Sequence, residues 1–333
     1  MRMMTRKLTT DLQTQTHKFC FGVDLGGTTV KIGLLDMEGT MIEKYQIPTR
    51  KEENGKYIIG DILDKIQTVM QEKSITKAEV AGIGIGVPGA VTEQGIVNRC
   101  INLGWDVIDV EKIMEQKSGL QVKVGNDANM AALGEYWKGG AQGYTSMVFI
   151  TVGTGIGGGV ILNGRPVFGK NGAAAELGHM PMVDDEEEYC NCGKKGCLEQ
   201  VASATGIVRT ARRILKQTGL ESSLQKTGTT DFTAKDVFDE AKKGDKVAAQ
   251  TVELVSSYLG RALADAACMF DPECFIIGGG VSAAGTYFID KITAYYRQYA
   301  FHASKDTRII QARLGNDAGM YGSAKLLLNA VQN

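Results

Sequence analysis

The 333-residue sequence has no long apolar run, few prolines and almost no net charge. No uninterrupted apolar stretch reaches the roughly 18 residues that a membrane helix needs, so we expect no membrane-spanning segment. Residues 8–18 are polar, so the apolar core of a secretory signal is missing. The 37 basic and 38 acidic residues leave a charge of −1 without a long basic run, which argues against nucleic acid as a main partner. We therefore expect a cytoplasmic protein.

Two common phosphate-binding signatures are missing or incomplete. The P-loop pattern G-x-x-x-x-G-K-[ST] does not occur. Residues 153–158 satisfy the dinucleotide-binding pattern G-x-G-x-x-G, but strand-like residues follow them where that motif needs a helix. Without a helix N-terminus a pyrophosphate loses its usual anchor. The sequence therefore argues against a P-loop enzyme and against a dinucleotide-dependent dehydrogenase.

Glycine is abundant, with 42 residues against five prolines, and it marks an internal repeat. Residues 19–24 and 30–35 are typical of two strands around a Gly-Gly turn, and residues 147–152 and 160–164 repeat this around a turn at 153–159. Because the chain is too long for one ordinary core, we predict two α/β domains of similar topology. We predict a disordered extension at 1–18, a small domain at 19–137 and a large domain at 138–317, with a helix at about 318–333 returning to the small domain.

The glycine turns are candidate phosphate sites. Two hairpin turns with bare N–H groups can grip a phosphate tail, and a third cluster at residues 278–280 precedes a helix. Any single cluster is equally well explained by close packing of the backbone. The three clusters together favour a ligand.

Three cysteines and a histidine are candidate ligands of a structural Zn²⁺ ion. They are His179, Cys190, Cys192 and Cys197. Gly193 and Gly196 permit the tight turns that let the thiols converge. The spacing differs from the common paired Cys-x-x-Cys pattern, so a loop with incidental cysteines is the alternative. Two carboxylates, Glu176 and Glu199, bracket the stretch.

Two aspartates follow strands near the glycine turns. Asn126-Asp127 precedes an alanine-rich run, which is the signature of a helix N-cap and has that simple explanation when taken alone. Asp24 beside Gly26-Gly27 has a similar explanation as a turn residue. Phosphoryl transfer needs a carboxylate near the attacking hydroxyl and Mg²⁺ near the phosphates, and two such aspartates meet that need. We expect the helix N-terminus to keep Asp127 ionised and to make it a weak base.

Five motifs give the chain a family resemblance. They lie at residues 24–29 (DLGGTT), 125–129 (GNDAN), 153–158 (GTGIGG), 176–179 (ELGH) and 190–197 (CNCGKKGC). With them the chain resembles the ROK family, which comprises repressors, open reading frames and sugar kinases. The resemblance runs from about Phe19 to the last helix. It implies an α/β actin-like ATPase (ribonuclease H-like) fold with a cleft between two domains.

The resemblance also implies site residues. Asp127 corresponds to the catalytic base, and Asp24 would sit near Mg²⁺. The implied sugar ligands are Gly89, Asn102, Asn126, Asp127, Glu176, His179 and Glu199. The implied nucleotide-binding residues, with Asp24, are Gly26, Gly27, Thr28, Thr154, Gly155 and Gly279. Zinc would be held by His179, Cys190, Cys192 and Cys197, so that one ring nitrogen of His179 binds the metal and the other faces the sugar.

The resemblance implies transfer of the ATP γ-phosphate to the 6-hydroxyl of glucose. The alternatives are a kinase for another hexose (mannose, N-acetylmannosamine or fructose) and a non-catalytic sugar sensor. Repressors of this family carry a DNA-binding domain ahead of the shared core, and the roughly 18 residues before Phe19 are too few for one. We expect ATP, Mg²⁺ and a structural Zn²⁺ as ligands, and a homodimer or homotetramer.

Overall fold

The computed structural model describes residues 17–225 and 231–332. The strands within these residues are β1 (Phe19–Leu25), β2 (Thr29–Asp36), β3 (Met41–Pro48), β4 (Val80–Val87), β5 (Ala90–Val91), β6 (Ile96–Asn98), β7 (Ile108–Asp109), β8 (Val122–Asn126), β9 (Met147–Val152), β10 (Ile156–Leu162), β11 (Arg165–Pro166), β12 (Cys274–Gly278) and β13 (Arg308–Gln311).

Helices connect and cover these strands. They are α1 (Glu52–Gly55), α2 (Ile58–Glu72), α3 (Val110–Ser118), α4 (Asp127–Lys138), α5 (Leu198–Ala202), α6 (Ala204–Thr218), α7 (Ala234–Lys242), α8 (Lys246–Phe270), α9 (Thr286–Tyr299) and α10 (Ala318–Val331). The apolar residues of α2 recur at helical spacing, and Ile58, Ile62 and Ile66 are buried on one face as the pattern predicts.

Two five-stranded sheets share one topology. The first has the order β3-β2-β1-β4-β8, with β1, β2 and β3 antiparallel and with β1, β4 and β8 parallel. The second has the order β11-β10-β9-β12-β13 and repeats the same directions. The internal repeat predicted from the two glycine hairpins is therefore confirmed. The short strands β5, β6 and β7 form a small third sheet that the sequence patterns did not predict.

Helices α4 and α10 pack against each other, and each also packs on strands of a sheet. All eight residues of β4 are buried, which is why its sequence is a continuous apolar and glycine run. A Cβ on Gly84 would come within 1.7 Å of Ser323 O, so α10 lies directly on the backbone of β4. The C-terminal helix is thereby fixed on the first sheet.

One prediction about the second hairpin is wrong. Residues 153–159 were expected to form a turn, but β10 begins at Ile156 and its glycines pair with β9. A Cβ on Gly159 would lie 2.5 Å from the Cβ of Ala132, and one on Gly157 would lie 2.9 Å from that of Ala128. These glycines therefore serve the close packing of α4 on β10, and the turn itself is shorter than expected.

The predicted extension at residues 1–18 lies outside the described residues, apart from His17 and Lys18. Lys18 N donates to Glu79 O at 2.8 Å, and its ammonium group forms an ion pair with the Glu79 carboxylate. Among the helices of the described residues, none combines the length and the hydropathy needed to cross a membrane.

Candidate active site between the two sheets

A cavity of about 870 Å³ is lined by residues of both sheets and of the loops that follow their strands. Most of the predicted ligand-binding residues line it. These are Asp24, Gly89, Asn102, Asn126, Asp127, Thr154, Gly155, Glu176, His179, Glu199 and Gly279. Asp24 and Gly279 are 255 positions apart in the chain, yet both line this one cavity.

Asp127 occupies the first position of α4, where the buried strand β8 ends. Asn126 is the N-cap, and its Oδ1 accepts a hydrogen bond from Asn129 N at 3.0 Å. Its side-chain nitrogen donates to Gly89 O at 2.9 Å and to Asp127 Oδ1 at 3.0 Å. The Asp127 carboxylate also accepts from Ala128 N at 2.8 Å. The cap therefore fixes the orientation of the carboxylate at the cavity wall.

The electrostatic environment of Asp127 differs from the expectation. Burial raises the pKa of its carboxyl to about 6, and the negative charges of Asp24 and Glu176 add to this, against a lowering by Ala128 N and Asn126. Helix-terminus stabilisation was expected to make Asp127 a weak base, and this was wrong because desolvation outweighs it. A carboxylate with this pKa is still ionised near neutral pH and is a better proton acceptor than an ordinary aspartate.

Three ionisable side chains form the opposite wall. His179 Nε2 lies 3.9 Å from Glu176 Oε2, and His179 Nδ1 lies 3.7 Å from Glu199 Oε1. Ile156 N donates to Glu199 Oε2 at 3.4 Å, which ties this wall to the start of β10. Burial raises the pKa of Glu176, as does the Glu199 charge, while His179 lowers it. The wall offers several hydrogen-bond acceptors to a polyhydroxylated ligand.

The predicted zinc ligands come together behind this wall. One ligand atom from each of His179, Cys190, Cys192 and Cys197 lies within 4.8 Å of all the others. Cys190 Sγ is 3.6 Å from His179 Nδ1, and Cys192 Sγ is 3.5 Å from Cys197 Sγ. His179 thus turns Nδ1 toward the thiols and leaves Nε2 on the side of Glu176.

These separations fit a tetrahedral Zn²⁺ ion. Bonds of about 2.3 Å to sulfur and about 2.0–2.1 Å to nitrogen place two sulfurs about 3.8 Å apart and a sulfur and nitrogen about 3.6 Å apart. The observed separations are close to both values. Gly196 has φ +76°, and a Cβ there would come within 1.8 Å of Val183 O, so only glycine allows the loop to bring Cys197 back. The donor set therefore suits the metal that the spacing suggested.

The nucleotide-side predictions divide into two groups. Thr154, Gly155 and Gly279 line the cavity. Gly279 has φ +81° and a Cβ there would lie 2.4 Å from Val152 O, so a side chain is excluded where strand β12 meets β9. Residues 26–28, in contrast, form the turn between β1 and β2 and are not among the residues that line the cavity. Their part in nucleotide binding stays a prediction.

Sequence reasoning missed three charged residues at the cavity, namely Lys31, Glu135 and Arg313. Lys31 lies opposite Asp24 in the β1–β2 register and donates to Asp24 Oδ2 at 3.1 Å. A lysine among the apolar residues of β2, just after the glycine turn, was the available signal. Glu135 is fully buried in α4, and its carboxylate accepts from the backbone N–H groups of Gly140, Arg313 and Leu314. Its burial depends on a loop that is distant in sequence and gave no local signal.

Comparison with known proteins assigns the chain to a family. A profile of the ROK family matches residues 20–330. The chain is 40% identical over 317 residues to a glucokinase of Halalkalibacterium halodurans, covering 94% of this chain and 96% of that protein. It is 37% identical to a glucokinase of Thermotoga maritima, covering 93% and 97%. A crystal structure of a ROK family glucokinase from Streptomyces griseus in complex with glucose and AMPPNP superposes with a TM-score of 0.73 and 34% identity, covering 92% of this chain and 98% of that chain.

The fold and the cavity thus define a two-domain protein with the actin-like ATPase fold and a cleft between its halves. The chain belongs to the ROK family, as the sequence motifs implied.

Proposed function

We propose that this chain is a glucokinase, which transfers the γ-phosphate of ATP to the 6-hydroxyl of glucose with Asp127 as the general base. The observation that carries this proposal is the position of Asp127, a half-buried carboxylate at the cleft with a pKa raised to about 6. The near full-length similarity to glucokinases, one of them solved with glucose and AMPPNP, supports the choice of substrates.

In the proposed mechanism Asp127 accepts the proton of the sugar 6-hydroxyl as the bond from oxygen to the γ-phosphorus forms. The hydrogen bonds from Ala128 N and Asn126 hold one carboxylate oxygen, which leaves the other for the substrate. The remaining hydroxyls would contact the other predicted sugar ligands, namely Gly89, Asn102, Asn126, Glu176, His179 and Glu199. Closure of the cleft on the sugar would exclude water that could otherwise accept the phosphoryl group.

The nucleotide would bind on the glycine-rich side of the cleft. We assign this part to Gly26, Gly27, Thr28, Thr154, Gly155 and Gly279. Mg²⁺ would arrive with ATP near Asp24 and would neutralise charge on the phosphates. The Lys31 ammonium group, which donates a hydrogen bond to Asp24, would add a second positive charge near the phosphates.

The four-residue zinc cluster is proposed as a structural site. Three thiolates and one imidazole fill a tetrahedral shell, so a bound Zn²⁺ would have no open position for substrate. Its contribution would be to hold the tautomer and orientation of His179, whose Nδ1 faces the thiols and whose Nε2 is then free to donate toward the sugar side.

Three further assignments stay predictions: the division into domains at residues 19–137 and 138–317, a cytoplasmic location and assembly into a homodimer or homotetramer. The two sheets and the position of α10 support the first of these.

A sugar panel with coupled detection of ADP tests the proposal. We expect the highest kcat/KM with glucose among glucose, mannose, fructose and N-acetylmannosamine. An equal or higher value for another sugar would replace glucose as the substrate but keep the kinase. Binding of sugar without ADP formation from any of the four would favour a non-catalytic sensor.

A further inference from the structure

One loop of the second half contacts the small third sheet shortly before it reaches Glu176. Residues 167–175, which we call the bridging loop, connect β11 to Glu176. None of them lines the cleft. Gly172 is nevertheless buried, although its neighbours Asn171 and Ala173 are exposed. A buried glycine between two exposed residues indicates that the loop packs there against another part of the chain.

Gly172 contacts the backbone of β5. A Cβ on Gly172 would lie 2.3 Å from Val91 O and 2.7 Å from Val91 N, and Gly172 has φ +70°. The available space and the backbone conformation therefore both require glycine at this position. The preceding residue adds a polar contact, because Asn98 Nδ2 on β6 donates to Asn171 O at 3.5 Å. The bridging loop is thus packed on the third sheet.

The C-terminal end of the bridging loop is fixed on the second sheet. A Cβ on Gly158 of β10 would come within 2.3 Å of Ala175 O, so the loop lies directly on that strand. The same carbonyl accepts from Leu177 N at 2.7 Å, which closes a tight turn around Glu176. Ala175 has φ +63°, a conformation that alanine adopts only when its surroundings impose it. The backbone at Glu176 is therefore fixed by its neighbours.

The third sheet also supports two other predicted sugar ligands. Gly89 directly precedes β5, and its carbonyl accepts from Asn126 Nδ2 at 2.9 Å. Asn102 lies in the turn between β6 and β7. Gly89, Asn102 and Glu176 all line the cleft. One small sheet thus supports two ligands of the first half directly and one ligand of the second half through the bridging loop.

We propose that Gly172 is a positioning residue for sugar binding. Its contact with Val91 sets the position of Glu176 relative to the sugar ligands that the third sheet supports. This inference rests on the proposed function. A methyl group at Gly172 would have to move the loop by about 1 Å to reach an ordinary contact distance of about 3.5 Å. A displacement of that size at a binding group is enough to weaken its interaction by about 10–100-fold.

Calorimetric titration with glucose and steady-state kinetics of Gly172→Ala test the proposal. We expect the affinity for glucose to fall by about 10–100-fold while KM for ATP stays within about twofold, because the nucleotide would bind on the other side of the cleft. Gly143→Ala is the matched control. Gly143 has φ +90°, but a Cβ there meets nothing within 4 Å, so alanine adds backbone strain without a collision. It should leave both values unchanged.

Asn98→Ala is a second variant, which adds neither atoms nor backbone strain. It removes the side chain that contacts Asn171. We expect the affinity for glucose to fall by about two- to fivefold with KM for ATP unchanged. Urea denaturation shows whether Gly172→Ala is folded, and Asn98→Ala decides the outcome if it is not.

Unchanged glucose affinity in folded Gly172→Ala would overturn the inference, and so would equal losses for glucose and ATP or an equal loss in Gly143→Ala. If Gly172→Ala does not fold, unchanged glucose affinity in Asn98→Ala overturns it. The unaltered protein separates these results from failure of the proposed function. Absence of both sugar binding and ADP formation across the sugar panel would overturn the proposed function and this inference with it. If another sugar of the panel is the substrate, the same comparison is made with that sugar.

Discussion

Lys31 and Asp24 face each other across the β1–β2 hairpin, with the ammonium nitrogen 3.1 Å from the carboxylate. Lys31 also donates to Asn316 O at 3.2 Å, in the loop before α10. One lysine therefore links the proposed Mg²⁺ residue to a second part of the cleft wall. In the proposed kinase, the ammonium group of Lys31 would supply positive charge for the transferred phosphoryl group.

Replacing Lys31 should weaken catalysis more than sugar binding. We expect Lys31→Gln to lower kcat/KM for ATP by about 10²-fold, because preorganised positive charge stabilises the transferring phosphate. Steady-state kinetics give this value, and calorimetry with glucose should show nearly unchanged affinity. Lys44→Gln is the control, since Lys44 is also ion-paired, to Asp317 at 2.7 Å, but does not line the cleft. Equal losses in the two variants would exclude a specific role for Lys31.

Removal of the proposed base should separate turnover from binding. Asp127→Asn keeps a side-chain oxygen that can accept from Ala128 N, so the start of α4 is preserved. We expect kcat to fall by about 10²–10⁴-fold while glucose still binds with measurable affinity. Asp109→Asn is the matched control, because Asp109 caps α3 through Lys112 N and lies outside the cleft. Normal kcat in Asp127→Asn would show that another group accepts the proton.

The raised pKa of Asp127 predicts the acidic side of the pH profile. Burial raises it to about 6, so the carboxylate gains a proton and loses its function as pH falls through about 6. Below that value kcat/KM for glucose should decrease about tenfold per pH unit. The measurement needs MgATP held constant in its fully ionised form, because the nucleotide also titrates. A profile that stays flat down to about pH 4 would mean that Asp127 keeps its ordinary pKa.

Disrupting the four-residue zinc cluster should weaken sugar binding, because His179 belongs both to this cluster and to the predicted sugar ligands. We expect Cys192→Ser to abolish zinc in elemental analysis and to weaken glucose binding by about 10–100-fold, because the proposed zinc would orient the His179 ring that lies beside Glu176. Cys268→Ser is the control, since Cys268 is also an exposed cysteine but lies in α8. Unchanged glucose affinity in protein verified to lack zinc would contradict the coupling.

The sequence predicted those parts of the site that have local signatures. The glycine hairpins, the cap at Asn126 and the convergence of the four metal-site residues follow from turn chemistry, capping and ligand spacing. What it missed depends on partners from elsewhere in the chain. Gly159 was assigned to a turn because its true constraint, the side chain of Ala132, lies on a different element. The small third sheet has strands of two or three residues, too short to show an alternating pattern.

Glu135 is the clearest such case, because its hydrogen-bond partners lie in a loop that is distant in sequence. Its side chain is completely buried, and its two oxygens accept from Gly140 N at 2.7 Å, Leu314 N at 2.7 Å and Arg313 N at 3.0 Å. The carboxylate thus fastens the loop after β13 to the helix that begins with Asp127. Arg313 lines the cleft and follows β13, which pairs with β12, the strand before Gly279. We therefore expect this contact to support the proposed nucleotide side.

Glu135→Gln should therefore destabilise the protein and also impair nucleotide binding. The amide keeps one acceptor but turns an NH₂ group toward a backbone donor, which leaves buried groups unpaired at a cost of about 2–4 kcal/mol in the free energy of unfolding. Urea denaturation measures this, and KM for ATP should rise while glucose affinity changes little, because the loop is on the nucleotide side. Glu115→Gln, which affects one hydrogen bond from Val122 N at 3.1 Å, should cost less than about 1 kcal/mol. Equal losses of stability in the two variants, with KM for ATP unchanged, would show that Glu135 has no specific role in positioning the nucleotide side.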